Sequence, residues 1–400
     1  MKAKCINNIN VITDLNDYSN LVTVSYEVNV GAYDEDETNL GITHLIEHLL
    51  FKGTLNRTAD EINKYIESLG GSLNAYTTYT YTKYYCTVPK KYYKEAIEFL
   101  NDLIFYNTIP EKEFELEKNV VLNELRMYED DPKDKCFDNL MKIVFNNDIS
   151  RQVVGGNVES VSKITREQVI DFIDSYYTNK NIKILITGSI DDTLNDLYDF
   201  INDITIELTD IIRLSKKHFK FNIKQLETIE IKQDLFQSIL CWCFIGPSMY
   251  NKDYLPFQVL INYLGGNMSS VFYTEVREKL GLVYTINMNI LDEFEEYSIA
   301  KGYTSLQKEN IDKVKTIIEK EINNLHMTND MLDSNKKYLI GELLSSIETT
   351  EGMNEYIGRF NINYNELIEQ INKVTILDIE RVIRKYFRKN NIYYSSIISQ

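Results

Sequence analysis

The sequence predicts an α+β chain made of two related units. Three observations carry this. The 400 residues exceed one ordinary core, and 44% hydrophobic with 26% charged residues is a globular balance. Stretches of strand character alternate with stretches of helical period throughout the chain. The order strand, helix, strand, helices starts again near Gln237, which reads as a duplicated unit of roughly 200 residues.

The elements follow in order. Residues 21–30 are rich in Val, Thr and Tyr and end at Gly31, which predicts a strand. The acidic run Asp34, Glu35, Asp36, Glu37 reads as a solvated loop. In the next stretch Ile42, Leu45, Ile46, Leu49 and Leu50 recur at helical spacing. A helix over 58–69 closes at Gly70 and Gly71. Residues 72–88 are dense in β-branched and aromatic side chains, giving one long strand or a hairpin. Helices follow at 91–106 and 111–128, the second stopped by Asp130, Asp131 and Pro132. Thr165 and Gln168 form a capping box for a helix to about 177, and 183–188 is a strand. Residues 206–222 mix helical and charged character and read as a linker. Beyond it come a strand at 237–245, a helix at 254–264 closed by Gly265 and Gly266, and a second strand after Tyr284. Helices at 309–325, 330–346 and 377–387 complete the chain. The expected domains are therefore 1–205 and 223–400.

The chemistry is concentrated in the helix that starts after Gly41. It carries His44-x-x-Glu47-His48, and only four histidines occur in the chain. Positions i and i+4 share a helix face, so both imidazoles can aim at one point, as a tetrahedral zinc requires. Glu47 sits beside them, placed to handle a proton. This is the reverse of the commoner His-Glu-x-x-His order. Further on, Glu117 and Glu124 lie two turns apart, with Val120 and Val121 between them. A carboxylate sharing a face with buried valines needs a partner, and a metal held by His44 and His48 would supply one. The other glutamates of that helix read as a solvated face. Cys241, Trp242 and Cys243 read as strand core rather than ligands.

Charge and composition exclude several classes. A net charge of −17 disfavours nucleic acid and anionic membrane. Five cysteines in no disulfide or zinc-ribbon pattern suit a reducing compartment. No run reaches the ~18 apolar residues of a membrane span. The N-terminus has no apolar h-region, so a cytoplasmic location is expected.

These motifs together resemble the pitrilysin–insulinase zinc peptidases, which include the mitochondrial processing peptidases. The resemblance rests on His44-x-x-Glu47-His48, Phe51-Lys52-Gly53-Thr54, and Gly71-x-x-Asn74-Ala75-Tyr76-Thr77. It continues in Gly265-Gly266-x-Met268-Ser269-Ser270 and Arg277-Glu278-Lys279-x-Gly281-Leu282-x-Tyr284. Asn10, Val11 and Ile12 stand where relatives usually have an Asn-Gly turn.

The resemblance implies two homologous domains, each a mainly antiparallel sheet with helices packed on it. Together they would form one half-shell of a clam-like peptidase chamber. It implies one Zn2+ per chain on His44, His48 and Glu124, with Glu47 as general base and Glu117 orienting a ligand or assisting Glu47. Asn74, Ala75 and Tyr76 would lie on an edge strand that pairs with the substrate backbone. Arg277 and Tyr284 would hold peptide carbonyls or the oxyanion. The substrate would be a peptide or unfolded polypeptide. In such chambers the Arg–Tyr pair reaching a given zinc comes from the opposite half-shell, so a homodimer is expected. The alternative is a non-catalytic companion subunit of a heteromeric processing peptidase. Such subunits have usually lost motif residues, and here all are present.

Overall fold

The computed structural model describes residues 1–145, 153–205, 221, 226–233, 235–388 and 391–400. The expected linker at 206–222 lies outside these residues, Phe221 excepted. The chain forms two compact units.

The first unit comprises Met1–Arg126, Val153–Lys217 and Leu344–Asn363. Its sheet contains β1 (Lys2–Ile6), β2 (Ile9–Leu15), β3 (Leu21–Val28), β4 (Ser72–Thr77), β5 (Thr82–Pro89) and β6 (Ile182–Gly188), in the order β1-β2-β6-β3-β5-β4. Only the β2–β6 pairing is parallel. β1 and β2 form a hairpin whose two turn residues, Asn7 and Asn8, have φ of 47° and 66°. Asparagine tolerates that left-handed pair, so the tight turn lies here and not at Asn10, Val11 and Ile12. The 72–88 stretch is a hairpin of β4 and β5.

The helices of this unit are α1 (Ile42–Leu50), α2 (Ala59–Ser68), α3 (Tyr93–Phe105), most of α4 (Glu111–Asp130), α6 (Val158–Lys163), α7 (Arg166–Tyr176), α8 (Leu194–Ile204) and α12 (Thr350–Phe360). β3 explains the arrangement. Its Val22, Val24, Tyr26 and Val28 enter one apolar core with Leu45 and Leu49 of α1 and Ala96, Ile97 and Leu100 of α3. Its alternate residues Thr23, Ser25 and Glu27 are polar, yet also buried. They meet α12: Thr23 bonds Thr350 at 2.8 Å, and the Ser25 hydroxyl donates to the Asn354 carbonyl at 2.7 Å. The Asn354 amide in turn donates to the backbone carbonyl of Leu185 at 3.2 Å.

The second unit comprises Met127–Gln152, His218–Leu343 and Tyr364–Gln400. Its sheet contains β7 (Glu227–Lys232), β8 (Ser238–Pro247), β9 (Val283–Glu293), β10 (Tyr297–Leu306) and β11 (Ile392–Ser399), in the order β7-β11-β8-β10-β9. The β7–β11 pair is parallel and the others antiparallel. Strand for strand, this repeats β2-β6-β3-β5-β4 of the first unit, which makes the two domains homologous in topology. Its helices are α5 (Pro132–Val144), α9 (Tyr254–Ile261), α10 (Ile311–Asn323), most of α11 (Asn329–Ser346), α13 (Tyr364–Lys373) and α14 (Ile376–Tyr386). Cys136 of α5 donates its thiol to the Ser395 carbonyl of β11, and Cys241, Trp242 and Cys243 are buried in β8. The compact units thus do not follow one division of the chain. A helix from each half of the sequence, α5 and α12, belongs to the unit otherwise built from the other half. Helices α5, α6, α8, α12 and α13 fall where the sequence carried no helix expectation.

Candidate metal centre

Helix α1 is built to expose three polar residues from an apolar body. Ile42, Leu45, Ile46, Leu49 and Leu50 are fully buried, while His44, Glu47 and His48 are only partly so. The helical pitch therefore brings the two imidazoles together, with ring centroids 4.8 Å apart. Helix α4 adds carboxylates to the same place. A ligand atom each from His44, His48 and Glu124 lie within 4.8 Å of one another, the one such cluster among the described residues. Nε2 of His48 is 3.4 Å from Oε2 of Glu124.

Glu117 has a different task from Glu124. Its Oε1 is 2.9 Å from His48 Nδ1, and its Oε2 is 2.7 Å from Lys52 Nζ. Holding a proton on Nδ1 leaves Nε2 as the lone-pair nitrogen, on the side of Glu124. The shared face expected on α4 is narrower than the sequence suggested. Val121 is buried, but Val120 is 50% exposed, because residues one apart on a helix point about 100° away from each other. Glu117 finds its partners in His48 and Lys52. Glu47 accepts a hydrogen bond from the Thr77 hydroxyl of β4 at 2.7 Å.

The electrostatics suit a divalent cation. Burial, helped by neighbouring His48 and opposed by Glu124, pushes His44 down to about 4, so it is neutral and can bind metal. Burial would lower His48 too, but Glu117, Glu124 and Glu47 outweigh it and raise it to about 9. Positive charge is thus favoured at this spot. Burial raises the Glu47 carboxyl, against the pull of the Thr77 bond and His48. Burial also opposes ionisation of Glu117, yet His48 and Lys52 hold it below its ordinary value. Two imidazoles and one carboxylate fit a zinc ion with a fourth position left open.

The remaining candidates fall in two places. Asn74, Ala75 and Tyr76 lie on β4, at the end of the first sheet. The Tyr76 hydroxyl donates to Glu355 of α12 at 2.6 Å. Arg277 and Tyr284 belong to the second unit, where the Arg277 guanidinium lies 5.8 Å from the Tyr284 ring centre and 4.7 Å from that of Tyr273. Tyr284 is 82% exposed.

The second unit holds a neutral counterpart of the first-unit clamp. Glu117 is the seventh residue of α4, and Asn335 is the seventh of α11. Asn335 accepts from the Asn262 amide, in the turn that continues α9, at 2.9 Å. An amide pair replaces the imidazole–carboxylate pair, so the helices stay joined without a charged metal-binding set.

Three residues were not picked out from the sequence: Lys52, Thr77 and Glu35. Lys52 and Thr77 stand inside the quoted motifs. Glu35 was hidden in an acidic run expected to be solvated. In fact it is 1% exposed and accepts hydrogen bonds from Gly41 and Thr43.

Fold and site together define a two-domain α+β architecture with a candidate His-His-Glu metal centre in its first unit. Residues 10–156 match Insulinase (Peptidase family M16), and residues 163–337 match the Peptidase M16 inactive domain. The chain belongs to the M16 peptidase family. A Bacillus subtilis protein named as an uncharacterized zinc protease, YmxG, is 27% identical over 405 residues, covering 99% of this chain and 97% of its own. The crystal structure of a protease from Helicobacter pylori superposes with a TM-score of 0.90 at 18% identity, covering 99% of both chains. A Pseudomonas fluorescens structure titled as a peptidase M16 inactive domain gives 0.88 at 16% identity, covering 100% of this chain and 98% of that one. No helix among the described residues is long and apolar enough to cross a membrane.

Proposed function

We propose that the chain is a zinc endopeptidase acting on peptides or unfolded polypeptide segments. Glu47 carries this reading. It lies beside His44, His48 and Glu124, outside the cluster they form, and is held by a hydroxyl. A carboxylate kept apart from the ligand set is available for proton transfer. His44, His48 and Glu124 would hold one zinc per chain. When bound, zinc supplies Lewis acidity toward a carbonyl oxygen and makes a water more acidic. Glu47 takes a proton from the attacking water and delivers it to the leaving amine. Glu117 and Lys52 keep the His48 ring turned toward the ligand set. The outer edge of β4, with Asn74, Ala75 and Tyr76, adds the substrate as a further strand, which reads backbone more than side chain. A homodimer completes each site with the other chain's Arg277 and Tyr284, and the cytoplasm is the expected compartment.

A companion subunit without activity is the second reading; the complete set of candidate catalytic residues speaks against it. The test is incubation of the zinc-loaded protein with a peptide mixture, with and without chelator, and identification of cut sites by mass spectrometry. Chelator-sensitive cleavage is expected. A zinc-loaded protein that cuts nothing would favour the companion reading.

A further inference from the structure

Helix α1 begins without a capping side chain of its own. The residue before it, Gly41, has φ of 88°, and a Cβ there would come within 2.4 Å of the Gly155 carbonyl oxygen. No Ser, Thr, Asp or Asn fits where such a side chain ordinarily satisfies the first free N–H groups. Glu35 does this from outside the helix. Its Oε2 accepts the Gly41 N–H at 2.7 Å. Its Oε1 accepts the Thr43 N–H at 3.0 Å and the Thr43 hydroxyl at 2.5 Å. A buried carboxyl is costly unless its hydrogen bonds are met, and these three donors meet it.

The consequence falls on His44, the residue after Thr43. His48 is turned by Glu117 at Nδ1, whereas Nδ1 of His44 is buried with no hydrogen-bond partner among the described residues. The His44 ring therefore takes its direction from the backbone of the first turn and from packing. We propose that Glu35 is a positioning residue for the metal centre: it fixes Gly41 and Thr43, and through them the aim of His44. Glu35 thus does for His44, by way of the backbone, what Glu117 does for His48 by direct contact. This rests on the zinc-peptidase reading of the site.

The test compares Glu35→Gln and Thr43→Val with the parent and with Thr58→Ala. Thr58 caps α2 and serves as a control for simple loss of a helix cap. Zinc affinity is read by competition with a chromophoric chelator, ligand geometry by the absorption spectrum of the cobalt-substituted protein, and turnover on a fluorogenic peptide. Glu35→Gln should weaken zinc binding by ~10-fold or more, alter the cobalt spectrum, and lower kcat more than it raises KM. Thr43→Val should move all three the same way by less. Thr58→Ala should lower Tm and leave the three unchanged. Parent-like zinc affinity and cobalt spectrum in Glu35→Gln, whatever its Tm, overturn the proposal. If Glu35→Gln does not fold, the same readouts on Thr43→Val decide. A parent that binds zinc but cleaves nothing sinks only the peptidase reading, because zinc affinity and the cobalt spectrum still report on Glu35. A parent that binds no zinc overturns both.

Discussion

The Thr77 hydroxyl donates to the Glu47 carboxylate at 2.7 Å, joining strand β4 to helix α1. The strand proposed to receive substrate and the proposed general base are therefore one connected piece. Thr77→Val, which keeps the shape and removes the donor, should lower kcat ~10-fold with unchanged zinc content, in line with losses of a supporting hydrogen bond. Steady-state kinetics with metal analysis measures this. A parent-like kcat would mean that Glu47 is held by packing alone.

The ligand set makes a sharper prediction. His48→Ala and Glu124→Gln should each lose bound zinc, while Glu47→Gln should keep zinc and lose turnover. Metal analysis of the purified variants separates the roles. Full zinc occupancy in Glu124→Gln would remove that residue from the set.

Glu117 and Lys52 should act as a pair. Lys52→Met leaves Glu117 on His48 without its second partner, and Glu117→Gln weakens both contacts. Each should reduce zinc affinity or turnover ~10–100-fold with a small change in Tm. The double variant should be little worse than Glu117→Gln alone, since Lys52 works through Glu117. Fully additive losses would assign Lys52 a separate role.

Glu35 should leave a pH signature on stability. Burial, opposed by the Gly41 and Thr43 donors, pushes its carboxyl up to about 8 from the ordinary 4.5. A raised carboxyl favours the proton in the folded state. Its contribution is fully present below pH 4.5 and is lost as pH rises through about 8. Relative to Glu35→Gln, the parent should lose stability across that window, by at most ~1.4 kcal/mol per pH unit. Denaturant unfolding of both zinc-free proteins at several pH values checks this. Parallel pH curves would show that Glu35 does not titrate there.

Assembly is testable by complementation. An inactive Glu47→Gln chain mixed with an inactive Arg277→Ala, Tyr284→Phe chain should regain activity once subunits exchange, because each mixed dimer contains one intact site. No recovery despite demonstrated exchange would mean that the site is completed within one chain or by another partner. A two-fold pairing is the commonest arrangement for soluble chains.

The sequence by itself determined the face proposed to bind zinc. Helical pitch is a property of the backbone, so His44 and His48 share a face wherever that helix sits, and the apolar residues between them fix which face is buried. It also carried the duplication, whose strand order recurs in both sheets. The tight turn at Asn7 and Asn8 was readable in principle, because asparagine suits positive φ. Tertiary structure alone decided which polar groups leave water. The polar face of β3 looks solvent-facing until α12, more than 300 residues later, covers it with Thr350 and Asn354. Glu35 looks like its acidic neighbours until the fold withdraws it to cap α1. Helical pitch turns Val120 and Val121 apart, but only packing decides which of the two is buried. Spacing along a chain fixes direction within an element, but burial is set by what arrives from elsewhere, and burial is what turns an ordinary carboxylate or hydroxyl into a positioning group.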